Sequence, residues 1–234
     1  LTKSGAEQLI NEPNIYKFFI FASKMNSLIL LVENLKKSDI KNVVDSRMKE
    51  FEEMGKKSNH ELFKELCFCL MTANFSASGG IKIQNAIGDG FADLSEEELA
   101  KQLAILGHRF PNMRAKFIVE ARQHKDNIRE ILDSFQTDVE RRKWFAENVK
   151  GLGMKESSHF LRNIGYGNVA IIDFHIIDLM ARHGVIEKPK SKSLNPKKYL
   201  EIENILNELA QKTQTSLGEL DLYLWYDETG KILK

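Results

Sequence analysis

Cysteine is almost missing from this chain: Cys67 and Cys69 are the only two among 234 residues. Two thiolates cannot hold an iron–sulfur cluster, which takes four ligands, so no such cluster is expected. Their spacing of two places them on different sides of a helix, the pattern of unpaired core residues in a reducing compartment. Proline is scarce as well, at four residues, while 42% of the chain is apolar and 29% charged. That balance excludes disordered and fibrous classes. No apolar run reaches the ~18 to 20 residues of a membrane span. The longest, "IYKFFIFASKMNSLILLV", is broken by Lys17, Lys24, Asn26 and Ser27. It also lacks a small-residue cleavage site, so it reads as an amphipathic or buried helix. An excess of one charge is missing too: the net value is +1, and any nucleic-acid partner must be met by local patches. The chain begins with Leu1 rather than methionine, which leaves room for an upstream part.

What is present is helical periodicity. In "SEEELAKQLAILG" Ser95 and Glu98 form a capping box, Leu99, Leu103 and Leu106 form an apolar stripe, and Gly107 is placed to stop the helix. The runs "IIDFHIIDLMARHG" and "EIENILNELA" repeat the pattern through Ile172, Ile176, Leu179 and Met180, and through Ile202, Ile205, Leu206 and Leu209. No segment alternates for long in the manner of a strand. An all-α protein of about ten helices is predicted, at ~11 residues per helix.

Two stretches are basic. Residues 187 to 198, "EKPKSKSLNPKK", combine two prolines with lysines and read as a surface loop within one domain. Residues 108 to 125, "HRFPNMRAKFIVEARQHK", carry Arg109, Arg114, Lys116, Arg122 and Lys125 with Phe110 and Phe117 interleaved. Such a stripe can track a phosphate backbone, or it can be the solvated face of a helix.

The segment "VKGLGMKESSHFLRNIGYGNVAIID" holds the chemistry. A helix is predicted to end near Val149, Gly151 and Gly153 form a tight turn, and a second helix starts around Lys155. Glycines let backbone amides approach a phosphate, and the helix start offers free N–H groups. A plain helix connection would use the same glycines. Lys155 is the unusual resident: a lysine at a helix N-terminus is repelled by the partial positive charge there. It is predicted to be pushed toward its neutral amine, the form a Schiff-base nucleophile needs. Asp173 stands at a natural N-cap, a role that is complete without catalysis.

These motifs resemble the helix-hairpin-helix DNA glycosylases that carry a catalytic lysine and aspartate. More narrowly, "LCFCLMTANFSASGG", "LGHRFPNMRAKFIVEAR", "AIIDFHIIDLMARHG" and "DLYLWYDETGKILK" resemble the archaeal and thermophile-type 8-oxoguanine DNA glycosylase/AP lyases, the second Ogg family. The resemblance runs over roughly residues 40 to 234. It implies a two-lobed all-α fold, a glycosylase domain over 36–234, and an N-terminal helical extension of unknown role over 1–35. Double-stranded DNA containing 8-oxoguanine is bound across the cleft, and the damaged base is flipped into a pocket.

The same resemblance implies roles residue by residue. Lys155 attacks C1′ of the damaged nucleotide, and Asp173 steadies charge on the sugar and activates the amine. An imine intermediate then permits β-elimination, so lyase activity accompanies base excision. Phe110, Trp225 and Lys234 form the base pocket. Asn74 fills the hole left by the extruded base, or is simply a turn residue. From the basic stripe and the glycine turn themselves, Arg109, Arg114, Gly151 and Gly153 are expected to contact DNA. The carbonyls of Val149 and Leu152 hold a monovalent cation, with no metal bound by side chains and no other cofactor. His159 and His175 flank the catalytic pair as structural or phosphate-contacting groups. The protein is expected to be monomeric and intracellular, in the cytoplasm with the nucleoid. Two other readings remain open at this level: a lyase for oxidised pyrimidines, and a non-catalytic helix-hairpin-helix DNA-binding module.

Overall fold

The computed structural model describes residues 13–191 and 194–234, with side chains described from residue 23 onward. The first part of the predicted N-terminal extension, and Lys192 and Ser193 of the basic loop, lie outside the described residues. Every regular element among the described residues is a helix. The apolar residues sort into two buried clusters, and these define two lobes.

The first lobe takes α3 (Asn59–Thr72), α4 (Ala77–Ile87), α5 (Gly90–Asp93), α6 (Glu96–Ile105), α7 (Pro111–Ala121), α8 (Ile128–Asp133), α9 (Asp138–Asn148) and α10 (Met154–Asn163). The second takes α1 (Pro13–Lys36), α2 (Ile40–Gly55), α11 (Phe174–Arg182), α12 (Pro196–Thr213) and α13 (Leu217–Thr229). Among the described residues thirteen α-helices stand where about ten are predicted. The excess is in pieces such as α5 and α8, of four and six residues, too short to display a helical period.

Local rules place the helix ends. Ser95 accepts from the Glu98 amide and Glu98 answers to the Ser95 amide, so the capping box of α6 is formed. Gly107 follows α6 at φ +86°, where a side chain would be strained. Met25, Leu28 and Val32 of α1 are fully buried in the second cluster. The second half of α1 is therefore part of the domain's core, and the helix ends only at Lys36.

The chain passes between lobes after α2 and again between Val169, which belongs to the first cluster, and Ala170, which belongs to the second. Buried ion pairs join the lobes around this crossing. Arg142 of α9 grips Glu203 of α12 with both guanidinium arms, one at 2.8 Å, and Arg162 of α10 pairs with Asp221 of α13. Glu203 also accepts the Ala170 amide at 2.8 Å. Buried charges of this kind are tolerated only when fully paired, so each pair holds the lobes in one mutual arrangement.

Candidate active site

The turn between α9 and α10 is built as the glycines imply. α9 closes at Val149, Leu152 donates to the Val149 carbonyl at 3.1 Å, and α10 begins at Met154. The two glycines do different work. Gly151 sits at φ +96°, and a Cβ there would lie 2.4 Å from the Phe117 ring, so the aromatic of α7 fills the notch. Gly153 has φ −105°, an ordinary value, and a Cβ would meet only the Glu156 carboxylate at 3.3 Å. Gly151→Ala is therefore expected to lower stability by ~1 to 3 kcal/mol and to weaken duplex binding, while Gly153→Ala stays close to the parent. Thermal unfolding and a titration with abasic-site duplex check both. Equal effects from the two would show that the notch does not matter.

Lys155 lies in the first turn of α10, partly exposed, with its ammonium 3.3 Å from Glu156 Oε1. The other Glu156 oxygen accepts the Gly153 amide at 3.3 Å. One acid thus offsets both the lysine and the positive end of the helix. The amides of the first turn have no intrahelical partner and form an anion-binding edge beside the glycine turn.

Asp173 is the N-cap of α11: its Oδ1 accepts the amides of His175 at 2.9 Å and Ile176 at 3.0 Å. Both bonds use one oxygen, so Oδ2 is left uncommitted. Burial raises the Asp173 carboxyl above its ordinary value, against the lowering influence of the Ile176 amide and of the Lys155 charge. Lys155 belongs to the first lobe and Asp173 to the second, and the two interact electrostatically across the junction. Asp221 lies behind them. Burial lifts its carboxyl to about 6, with Arg162 pulling down and Asp173 pushing up.

The aromatic residues flank this pair unevenly. Trp225 of α13 makes an edge contact with His175 at 4.7 Å, and His175 in turn lies 3.9 Å from the exposed Phe174. Phe110 stands on the far lobe, at the start of α7, under the Arg109 guanidinium at 5.1 Å. No ring contact joins Phe110 to Trp225 among the described residues. Arg109 is exposed and free to meet a phosphate. His159 is buried against Phe68 at 5.6 Å, and burial pushes its imidazole well below the ordinary value. It is a neutral structural group.

Arg114 corrects an expectation. It was expected to contact DNA, yet it is 3% exposed and its Nη2 donates to the Ala73 carbonyl at 2.6 Å. The guanidinium also lies 5.7 Å over the Phe117 ring. A charge buried this way cannot reach a phosphate. Arg114 instead braces the turn that carries Asn74, helped by His108, whose Nε2 is 3.0 Å from the Met71 carbonyl. Asn74 itself is exposed, at a left-handed φ of 60°. The signal was present in the sequence, because Arg114 falls in phase with Ala115, Ile118 and Ala121, the buried face of α7.

Lys234 is tied down. Its ammonium lies 2.8 Å from Glu65 Oε2, bonds to Gln84 Oε1, and sits 4.5 Å over the Phe68 ring. Glu65, Gln84, Arg162, Asn163 and Asp221 all surround the site and are absent from the sequence reading. Cys67 and Cys69 are buried and free, with burial raising both thiols. On the surface, His60, Glu61 and Asp89 cluster, but Lys64 already neutralises the two carboxylates at 2.6 and 3.1 Å.

Comparison with known proteins identifies the family. Residues 44–215 match the family model described as 8-oxoguanine DNA glycosylase. A protein of Korarchaeum cryptofilum named 8-oxoguanine DNA glycosylase/AP lyase is 55% identical over 210 residues, covering 90% of this chain and 99% of that protein. One of the same name from Methanocaldococcus jannaschii is 52% identical, covering 88% and 99%. The crystal structure of the Methanocaldococcus jannaschii glycosylase/lyase in complex with a 15mer DNA containing 8-oxoguanine aligns with TM-score 0.86 at 50% identity, covering 89% of this chain and all of that one. The Thermotoga maritima 8-oxoguanine DNA glycosylase aligns with TM-score 0.83 at 42% identity, covering 90% of this chain and all of that one.

Proposed function

Because the chain belongs to the 8-oxoguanine DNA glycosylase family, we propose that it excises 8-oxoguanine from duplex DNA and then cleaves the abasic strand. The observation that carries this is the placement of Lys155, at the helix start beside a glycine turn, within electrostatic reach of Asp173, the N-cap of the opposing lobe.

The chemistry follows from the groups. The backbone of the damaged strand rests on the amides around Gly151 and the first turn of α10, with Arg109 adding a surface cation. The damaged nucleotide turns into the cleft, Asn74 enters the vacated stack, and the base is held by Phe110, Trp225 and Lys234. Asp173, whose burial favours the protonated carboxyl, takes the proton that Lys155 must lose. The free amine attacks C1′, the bond from C1′ to the base breaks, and the base leaves with that electron pair. Once the sugar ring opens, the product is an imine between Lys155 and C1′. The imine acidifies the 2′ hydrogen, and loss of that proton expels the 3′ phosphate, cutting the strand. An aspartate acting with water alone would stop at the abasic site, so the lysine is what joins the two activities.

The Val149 carbonyl spends one lone pair on Leu152 and keeps another, so with the Leu152 carbonyl it fits a monovalent cation that would steady a backbone phosphate. No helix among the described residues is long and apolar enough to cross a membrane. The place of action proposed is the cytoplasm, on nucleoid DNA, as a monomer.

A panel of duplexes bearing 8-oxoguanine, an oxidised pyrimidine or an abasic site, each with and without borohydride, tests the reading. Excision of 8-oxoguanine with a trapped protein–DNA adduct is the expected result. Preference for the pyrimidine would move the substrate to that class, and duplex binding without adduct would leave a binding module.

A further inference from the structure

Lys234 leaves the second lobe after α13 and ends on the first. Its ammonium rests on Glu65 of α3 and Gln84 of α4, over Phe68. Glu65 is 1% exposed, and a carboxylate so placed requires full compensation. It receives it from three sides: Lys234 Nζ at 2.8 Å and Gln84 Nε2 at 3.2 Å on Oε2, and Asn163 Nδ2 at 2.7 Å on Oε1. Asn163 is held in turn by Arg162 Nη2 at 2.9 Å, and Arg162 pairs with Asp221, which feels the charge of Asp173. A continuous buried polar chain therefore runs from the neighbourhood of the catalytic carboxylate to the side chain at the base pocket.

We propose that Glu65, supported by Gln84 and Asn163, is a positioning residue for damaged-base recognition, acting by seating the Lys234 ammonium. The inference rests on the reading of Lys234 as a base-pocket residue and deepens it. With its ammonium held by Glu65, Lys234 presents a fixed shape to the flipped base rather than a mobile cation. Order at this position is bought by a buried carboxylate that touches neither the sugar nor the phosphate. Recognition of the base should then depend on Glu65, and chemistry at the sugar should not.

Glu65→Gln keeps the size of the side chain and its bond to Asn163 but removes the charge that holds Lys234. The test is a cycle of the full chain, Glu65→Gln, Lys234→Met and the double variant, read by single-turnover excision from an 8-oxoguanine duplex and by cleavage of an abasic duplex. Glu65→Gln is expected to slow 8-oxoguanine excision ~10- to 100-fold and to leave abasic cleavage within about twofold. In the Lys234→Met background the same change should cost less than about twofold, because the group it acts through is gone. Equal losses in both backgrounds, or a parallel fall in abasic cleavage, would overturn the proposal. Unchanged excision by Glu65→Gln would do the same. Should that variant fail to fold, Gln84→Met removes the second seat oxygen from a half-buried position and is read against the same outcomes. A parent chain that does not excise 8-oxoguanine would bring down the functional reading and this one with it. A parent that is active beside flat variants would bring down only the seat.

Discussion

Replacing Lys155 with glutamine is expected to abolish base excision and strand cleavage together, with duplex binding retained. An amide has no lone pair available for attack on C1′, so neither the glycosidic bond nor the imine-dependent elimination has a route. The groups that hold the backbone are untouched, since Gly151 with its Phe117 packing and the amides of α10 do not involve the lysine side chain. Stability should barely move. Among the described residues the only ion pair of Lys155 is with Glu156 at 3.3 Å, on the partly exposed side of the turn, and such a contact contributes ~0 to 1 kcal/mol. Borohydride trapping on an 8-oxoguanine duplex is the decisive measurement, and a substantial adduct from the variant would dispose of Lys155 as the nucleophile.

Asp173→Asn should be nearly as damaging to the rate while sparing the fold. Both capping bonds of α11 fall on Oδ1, which asparagine reproduces, so the helix start survives. What disappears is a carboxyl that burial has made a better proton holder than an ordinary aspartate. The pH dependence has a definite sign. The native carboxyl is raised relative to the unfolded chain, so the folded state binds the proton more tightly. Asp173's contribution to stability is then most favourable at acid pH and falls as pH rises through the native value. Relative to the parent, the asparagine variant should gain in melting temperature as pH rises through that range. A collapse of thermal stability in Asp173→Asn at all pH values would mean that capping is the residue's main work.

The places of Lys155, after a glycine turn, and of Asp173, at an N-cap, were legible because local rules are strict there. The all-helical class was legible for the same reason: the periodicity of α6, α11 and α12 needs no tertiary information. Arg114 was misread because a run of arginines and lysines looks exposed until each is set against the apolar phase of its own helix. Glu65 and Lys234 are 169 residues apart, and no local pattern announces that a carboxylate inside the apolar run of α3 has its cation at the other end of the chain. Asp221 was hidden likewise, since its meaning depends on Arg162 reaching it from another helix. What sequence reasoning could not supply was pairing at a distance.

The irregular stretch that carries the chain from the first lobe to Asp173 is anchored by alternate amides. Asn168 donates to Asp138 at 3.0 Å, Ala170 to Glu203 at 2.8 Å and Ile172 to the Tyr199 hydroxyl at 3.2 Å. The attachment points belong to the main chain, so the stretch works as a ruler whose graduations are peptide units. Its letters are free to drift so long as each replacement fits its surroundings, but its count is not. One residue more or fewer would displace Asp173 by up to ~3.3 to 3.6 Å and put the amides out of step with their three acceptors. In relatives built on this plan, the number of residues between the glycine turn and the aspartate should therefore hold steadier than the residues themselves.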